Sequence, residues 1–203
     1  RTTLYREEVV RAEEMKSAES LSEFLESLNM TLQSKPLAIA SLRRVAELFQ
    51  RTNQFNLSGW RPSERDLEEW LDFQNHQSRQ VLTFELTDRV GTYGIISAAV
   101  IDLDDIGNLR LENLVVSCRV FGRGIEEAIF GSISQIMSVV ANGMRIHFRP
   151  SPKNSRALDF LRKHFESMSE VGGNEVFWFD FSKTPKAGFV HIENSSVDLP
   201  ARR

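Results

Sequence analysis

The sequence predicts an α/β fold: a mixed, twisted sheet with helices on both faces, preceded by a charged helical linker. Three observations predict it. The apolar spacing changes from a helical period to strand-like alternation near residue 80. An alternating strand, a long apolar helix and a second alternating strand follow one another between residues 109 and 149, the order of a parallel crossover unit. Finally, 203 residues with 41% hydrophobic and 26% charged content suffice for one substantial core with appendages.

Residues 1–29 are expected to form a helical linker. Leu4, Tyr5, Val9 and Val10 are sparse among Glu and Arg, as on a solvated connector helix. The chain opens on Arg1 rather than Met, so an upstream domain is expected to precede it. Ser20 with Glu23 forms a capping box for a short helix bearing Leu21, Phe24, Leu25 and Leu28.

The main domain is expected over 30–182. Met30–Gln33 reads as a strand, ended by Pro36 before a helix with Leu42, Val45, Ala46 and Phe49 on one face. Asn53, Gln54 and Asn56 surround Phe55 where that helix runs out, and such amides either line a site or satisfy a turn. Ser63 and Asp66 cap the next helix, with Leu67 and Trp70 inward. A hairpin follows, Val81–Leu86 and Tyr93–Asp102, turning at Asp88–Gly91. Leu109–Ser117 is the next strand, reached through the turn at Asp104–Asn108.

From Gly124, residues Ile125, Ala128, Ile129, Ile133, Ile136 and Met137 keep helical spacing, interrupted by Gly131 at a cost of about 1 kcal/mol. Met144, Ile146 and Phe148 then alternate with Arg145, His147 and Arg149 in a strand. Asn154 leads a helix carrying Ala157, Phe160, Leu161 and Phe165, and Val176–Phe181 is the last strand. Residues 183–203, richer in Pro, Gly, Ser and Asn, are expected to be a loosely ordered tail.

With 25 basic and 28 acidic residues, a net charge of -3 argues against a nucleic-acid partner. One cysteine excludes an internal disulfide, four scattered histidines argue against a metal site, and both suit a cytoplasmic protein. The absence of a long apolar run argues against a membrane span.

Arg119-Val120-Phe121-Gly122-Arg123-Gly124 joins a strand to a helix, where backbone N–H groups and the helix dipole favour an anion by about 1 kcal/mol or more. Together with the order of elements, this Arg-x-x-Gly-x-Gly loop resembles the GNAT acyltransferase superfamily. Arg119, Gly122 and Gly124 match its motif, while Asn154, Ala157 and Phe165 fall in places comparable to a second one. The resemblance implies that the loop binds the phosphopantetheine arm of an acyl carrier protein, or coenzyme A, without a metal.

Thr52-Asn-Gln-Phe-Asn-Leu57, Asp88-Arg89 with Gly91 and Gly94, Ser117–Gly124 with Glu126 and Glu127, and Lys153-Asn154 together resemble the C-terminal domain of FkbH-like proteins. That resemblance implies transfer of a glyceryl group, derived from phosphoglycerate, to the thiol of an acyl carrier protein in polyketide biosynthesis. It also implies an upstream haloacid-dehalogenase-type phosphatase domain; the aspartate-rich motif of that domain is absent from this sequence.

Cys118, at the end of the central strand beside the loop, is the candidate acyl-accepting nucleophile, against the alternative of a small buried hydrophobe. His147 is the candidate base, or else part of a polar face. Asn53, Gln54 and Asn56 are candidate donors to a thioester carbonyl or to glyceryl hydroxyls, or stabilise a turn. Asp88 and Arg89 are functional or ordinary turn charges. Arg119, Arg123, Arg149, Lys153, Arg156, Arg162 and Lys163 form a basic excess suited to an acidic carrier protein, provided that they cluster in space. The alternatives to glyceryl transfer are a non-catalytic carrier-protein docking domain and an acetyl-coenzyme A-dependent N-acetyltransferase.

Overall fold

The computed structural model describes residues 2–74, 79–103 and 108–197. The turn expected at 104–107 and the chain beyond 197 lie outside them. Strands β1 (Met30–Pro36), β2 (Arg79–Thr87), β3 (Thr92–Leu103), β4 (Leu109–Val116), β5 (Gly143–Phe148), β6 (Glu166–Val171), β7 (Asn174–Asp180) and β8 (Val190–Asn194) form one sheet. Their order is β6-β7-β5-β4-β3-β2-β1-β8. The β4–β5 and β1–β8 pairs are parallel and the others antiparallel.

Alternation along the central strands builds two cores. On one face Val81, Ala98, Val100 and Val115 pack against α3 (Leu42–Arg51) and α4 (Glu64–Gln74) through Val45, Phe49, Leu67 and Trp70. On the other, Leu82, Phe84, Ala99, Leu114 and Ile146 meet Ile129, Phe130 and Ile133 of α5 (Ile125–Met137). Helices α2 (Leu21–Ser27) and α6 (Ser155–His164) add Phe24, Leu25, Ala157 and Leu161 to that second core. The expected fold class is therefore the observed one, and the capping residues act as expected: Ser20 accepts from the Glu23 N–H, and Ser63 from the Asp66 N–H.

Strands β4 and β5 pair over Leu109–Leu111 and Met144–Ile146 only, and then part. The strip after α3 enters the gap. Leu57 N–H donates to Leu114 O, Val116 N–H to Phe55 O, and Arg149 N–H to Leu57 O, so the strip bonds to both separated strands. Phe55 is fully buried, with its ring 5.6 Å from that of Phe160 and 6.3 Å from that of Phe121.

Two sequence expectations change. The segment after Lys183 is not a loose tail over its described part: β8 pairs with β1 from Met30 to Ser34, and Asn194 joins Ser34, Ser132 and Gln135 by side-chain hydrogen bonds of 2.6–2.8 Å. Its polar composition hides a strand whose Ile192 reaches α5 beside Gly131, where an added Cβ would lie 3.0 Å from Ile192 Cδ1. The glycine that interrupts the apolar helix thus seats the edge strand. Strand β6 was not expected either, because Glu166, Ser167 and Ser169 carry no apolar alternation on this edge.

Helix α1 (Thr2–Ser17) lies against the sheet through polar residues. Tyr5, Val9 and Ala12 are exposed, whereas Glu7, Arg11 and Glu14 face inward and Arg11 is 2% exposed. Arg11 Nε and Nη2 donate to Asp88 Oδ2 and Oδ1 at 2.7 and 2.9 Å, and the guanidinium lies 4.0 Å from the Tyr93 ring centroid. Asp88 also accepts from Val90 N–H, Gly91 N–H and Tyr93 OH. Asp88 is thus the hub of the hairpin turn, and Arg89 pairs with Glu14 at 2.8 Å.

Burial alone would raise the Asp88 carboxyl, but the hydrogen bonds from Arg11 and Gly91 overcome it and hold the group below the ordinary carboxylate range. A depressed carboxyl contributes stability above its unfolded pKa of about 3.9 and loses it as the pH falls. Arg11→Met is expected to cost about 3 kcal/mol in urea unfolding at pH 7, because it strands a buried carboxylate. The difference between wild type and Asp88→Asn should hold steady above about pH 5 and shrink below about pH 4. A pH-independent difference would contradict this assignment.

Candidate functional site

Helix α3 presents Arg44, Glu47, Leu48 and Arg51 along one stripe, the i, i+3, i+4, i+7 spacing of a single helix face. That stripe forms one wall of a cleft of about 700 Å³. Thr52, Asn53 and Gln54 continue the wall, Tyr93 and Val116 line the sheet side, and Ser117, Cys118, Arg119 and Phe121 close the end above β4. The cleft exists because the chain leaves α3, crosses into the β4–β5 gap, and so holds the C-terminal end of α3 beside the end of β4.

Its walls are basic. Arg44, Arg51 and Arg119 all contribute, and among the described residues none of the three has an ion-pair partner. Arg44 Nη2 donates to Ile95 O at 2.9 Å, while Arg119 donates to Ser117 Oγ and Tyr93 O. Burial, and then the positive charge of Arg119, push the Arg44 guanidinium below its ordinary pKa; Glu47 opposes the shift and Arg51 adds a smaller push. The single acidic wall residue, Glu47, pairs with Arg43 at 3.5 Å on its own helix.

Beyond the cleft, the chain turns from β4 into α5 through a short 3-10 turn at Cys118–Val120. Val120 N–H and Phe121 N–H close that turn on Ser117 O and Cys118 O. Gly122 and Gly124 both take φ near +75°, the left-handed region that a side chain disfavours, and Gly124 caps α5 without a side-chain bond. Among the described residues, the N–H groups of Gly122, Arg123, Gly124 and Ile125 find no backbone acceptor. These groups, with the positive end of α5, are the structure's fit for a phosphate or diphosphate. Glu126, buried in the first turn, is raised by burial against the opposing hydrogen bond from its own backbone N–H and the pull of Arg156, whose Nη2 lies 3.4 Å away.

The residues singled out in the sequence divide into two groups. Cys118, Asn53, Gln54, Arg119 and Phe121 meet in the cleft, and the Cys118 side is exposed, not a buried hydrophobe. The second group is drawn elsewhere. His147 continues the register Leu111↔Ile146 and so stands level with Glu112, about 20 Å along the sheet from Cys118 at ~3.3 Å per residue. It is too far to serve as base to that thiol. Burial first, then the nearby arginines against Glu112, leave His147 below its ordinary range on a half-buried polar face.

Asn56 is buried and structural: its Nδ2 donates to Thr52 O and Trp60 O, and its Oδ1 accepts from Gly59 N–H. Asn154 is likewise committed, donating to Asn56 O at 2.9 Å and Arg149 O at 3.0 Å and accepting from Ser151 N–H. It fastens the strip in the gap to the turn before α6. Val120 is buried in the core, and Arg123 turns away from the cleft to Tyr93 OH and Glu8 of α1. The expected basic patch is also divided, since Arg156 lies over Phe121 beside Glu126 and Arg162 pairs with Glu175.

Arg44, Arg51 and Tyr93 were not foreseen as site residues. For the arginines the signal was present, since residues 44 and 51 flank the apolar stripe of α3 at heptad spacing. Tyr93 reads from sequence as an ordinary strand aromatic. Among the described residues no cluster of three or more His, Cys, Asp or Glu side chains is placed to hold a metal. No described helix is long and apolar enough to cross a membrane.

No family model matches the chain, and no curated protein matches it. Solved structures do. The spermidine N-acetyltransferase SpeG from Vibrio cholerae, in complex with CoA and spermine, superposes with a TM-score of 0.52 at 13% identity, over 78% of this chain and 99% of that one. AAC(6')-Ib in complex with an aminoglycoside and acetyl-CoA gives 0.55 at 16% identity, over 77% and 98%. A chimera of SpeG from Vibrio cholerae with human SSAT gives 0.55 at 14% identity, over 77% and 98%. The chain therefore has the GNAT fold of these acetyltransferases.

Proposed function

We propose that this chain is an acyltransferase that accepts its acyl group from a phosphopantetheine-type thioester, such as acetyl-coenzyme A, and passes it to an acceptor in the cleft. The observation that carries this reading is the glycine turn at the mouth of α5. Its two left-handed glycines and unpartnered N–H groups suit a thioester's phosphates, directly beside a cleft deep enough for the acyl end. The structural neighbours, which hold CoA or acetyl-CoA, support acetyl-coenzyme A-dependent N-acetylation as the first form of this reading. In that form the thioester supplies an activated acyl carbon, while Asn53 and Gln54 are positioned to donate hydrogen bonds at the cleft wall.

A second form, glyceryl transfer to an acyl carrier protein, is favoured by the exposed Cys118 thiol on the same wall. There the Cys118 thiolate attacks the thioester carbonyl, forming a new C–S bond and expelling the donor thiolate. The carrier's pantetheine thiol then attacks that acyl-cysteine, takes the glyceryl group, and returns Cys118 to its thiol. An upstream phosphatase-type domain belongs to this form alone.

Intact-protein mass spectrometry separates the two forms. Incubation with acetyl-CoA and a panel of amines, and separately with a glyceryl thioester and holo carrier protein, is run for wild type and Cys118→Ala. Acetyl-amine product from both proteins is the result for direct N-acetylation. A glyceryl adduct on wild type alone, passed to the carrier, is the result for the cysteine relay. Gly124→Ala, which forces a side chain into a φ of +75°, is expected to weaken CoA binding about tenfold in calorimetry. Failure of wild type to bind CoA, or to transfer either group, would overturn acyl transfer.

A further inference from the structure

Three guanidinium groups converge on a cleft whose single acidic wall residue, Glu47, is ion-paired with Arg43 on its own helix. Arg44 is half-buried and projects from the first turn of α3; Arg51 stands two turns further along the same face, at the end of the helix; Arg119 arrives from the opposite side, just past β4. Like charges in a shared cleft repel, and burial of Arg44 reduces the water that would screen them. A fold tolerates such a cluster when a ligand of opposite charge completes it. Several arginines elsewhere are ion-paired, among them Arg11 with Asp88, Arg79 with Asp102, Arg110 with Glu112 and Arg162 with Glu175, whereas the three that line the cleft have no ion pair among the described residues.

The wall chemistry beside the arginines is specific in kind. Asn53 Oδ1 accepts from Arg61 Nη2 at 2.5 Å, so among the described residues its amide N–H groups remain without a hydrogen bond at the cleft wall. Gln54 is exposed there, with its backbone O held by Ala157 N–H. Guanidinium forks and amide donors together match an oxyanion that also carries hydroxyl or carbonyl oxygens.

We propose that the α3 face of the cleft is an oxyanion-binding site, formed by Arg44, Arg51 and Arg119, that selects substrates bearing a carboxylate or phosphate and rejects polycations. It rests on the acyl-transfer reading for the role of the bound group as acyl or acceptor portion, but not for the binding itself. The site is separate from the glycine turn. Arg119 bonds back to Ser117 and Tyr93 on the cleft side, and Arg123 of the turn faces α1. The polyamine and aminoglycoside ligands named for the structural neighbours carry the charge that this cleft would repel.

The test is calorimetry at low salt with three probes: lactate for a carboxylate, glycerol 3-phosphate for a phosphomonoester, and spermidine for a polycation. Wild type is expected to bind at least one of the two anions, which identifies the charged group, and not spermidine. Arg51→Gln, at an exposed position whose side chain makes no hydrogen bond among the described residues, is expected to weaken that anion about tenfold. It should also raise the unliganded melting temperature, because it relieves repulsion on Arg44. A residue with only a structural role would lower both.

Binding of neither anion, tighter binding of spermidine, or an Arg51→Gln affinity equal to wild type would each overturn the site. If CoA fails to bind while the anion binds as described, acyl transfer fails and the oxyanion site stands.

Discussion

Strands β4 and β5 hydrogen-bond over only three residue pairs, and the strip Phe55–Leu57 carries the sheet's bonding across the gap beyond. This constraint places nearly everything else. Because the strip must begin where α3 ends, α3 is drawn alongside the end of β4 and its polar stripe faces Cys118 and Arg119. Because the strip's carbonyls must be satisfied, Asn154 donates to Asn56 O and Ala157 N–H to Gln54 O, which fixes α6 to the same point. Asparagines at 56 and 154 thus serve the scaffold, while their neighbours Asn53 and Gln54 are left for the cleft.

A second constraint operates at the hairpin turn. Asp88 accepts from two backbone N–H groups, the Tyr93 hydroxyl and both arms of the Arg11 fork, so the turn and α1 are parts of one polar assembly. Tyr93 belongs to that assembly and to the cleft wall alike, and its hydroxyl receives Arg123 from the glycine turn. Burial raises the Tyr93 phenol, which keeps it a neutral hydrogen-bond donor at any ordinary pH. The N-terminal helix, whose outward side carries Tyr5, Val9 and Ala12, is therefore mechanically connected to the candidate site through charged side chains instead of apolar packing.

Periodicity was enough to foresee α2 to α6 and the six strands from β1 to β5 and β7, since each buries a regular apolar face. It did not reveal β6 and β8, both polar sheet edges held by backbone pairing and, in β8, by the Asn194 hydrogen bonds. The position of the glycine turn was readable, because Gly122 and Gly124 fall between an alternating strand and an apolar helix, and both take left-handed φ. The cleft was only half readable. Cys118, Arg119, Asn53 and Gln54 come together as expected, yet His147 shares a strand pattern with that end of the sheet and lies far along it. Its misplacement follows from the β4–β5 register, which sets His147 level with Glu112 and six residues from Cys118 and which no local pattern encodes. Arg44 and Arg51 escaped notice because a charge on a helix flank reads as solvated surface until the opposite wall is known.

What the geometry combines is a glycine turn with backbone N–H groups free among the described residues and an arginine-lined cleft beside it at the end of one strand, in a chain whose overall charge is slightly negative. The most direct measurement of this arrangement is chemical-shift mapping of the uniformly 15N-labelled chain titrated with CoA. The account predicts saturable shifts of the Gly122–Glu127 amides, with smaller shifts reaching Cys118 and Gln54, and none at His147. Shifts centred on the His147 face, or none at the glycine turn at saturating CoA, would contradict it.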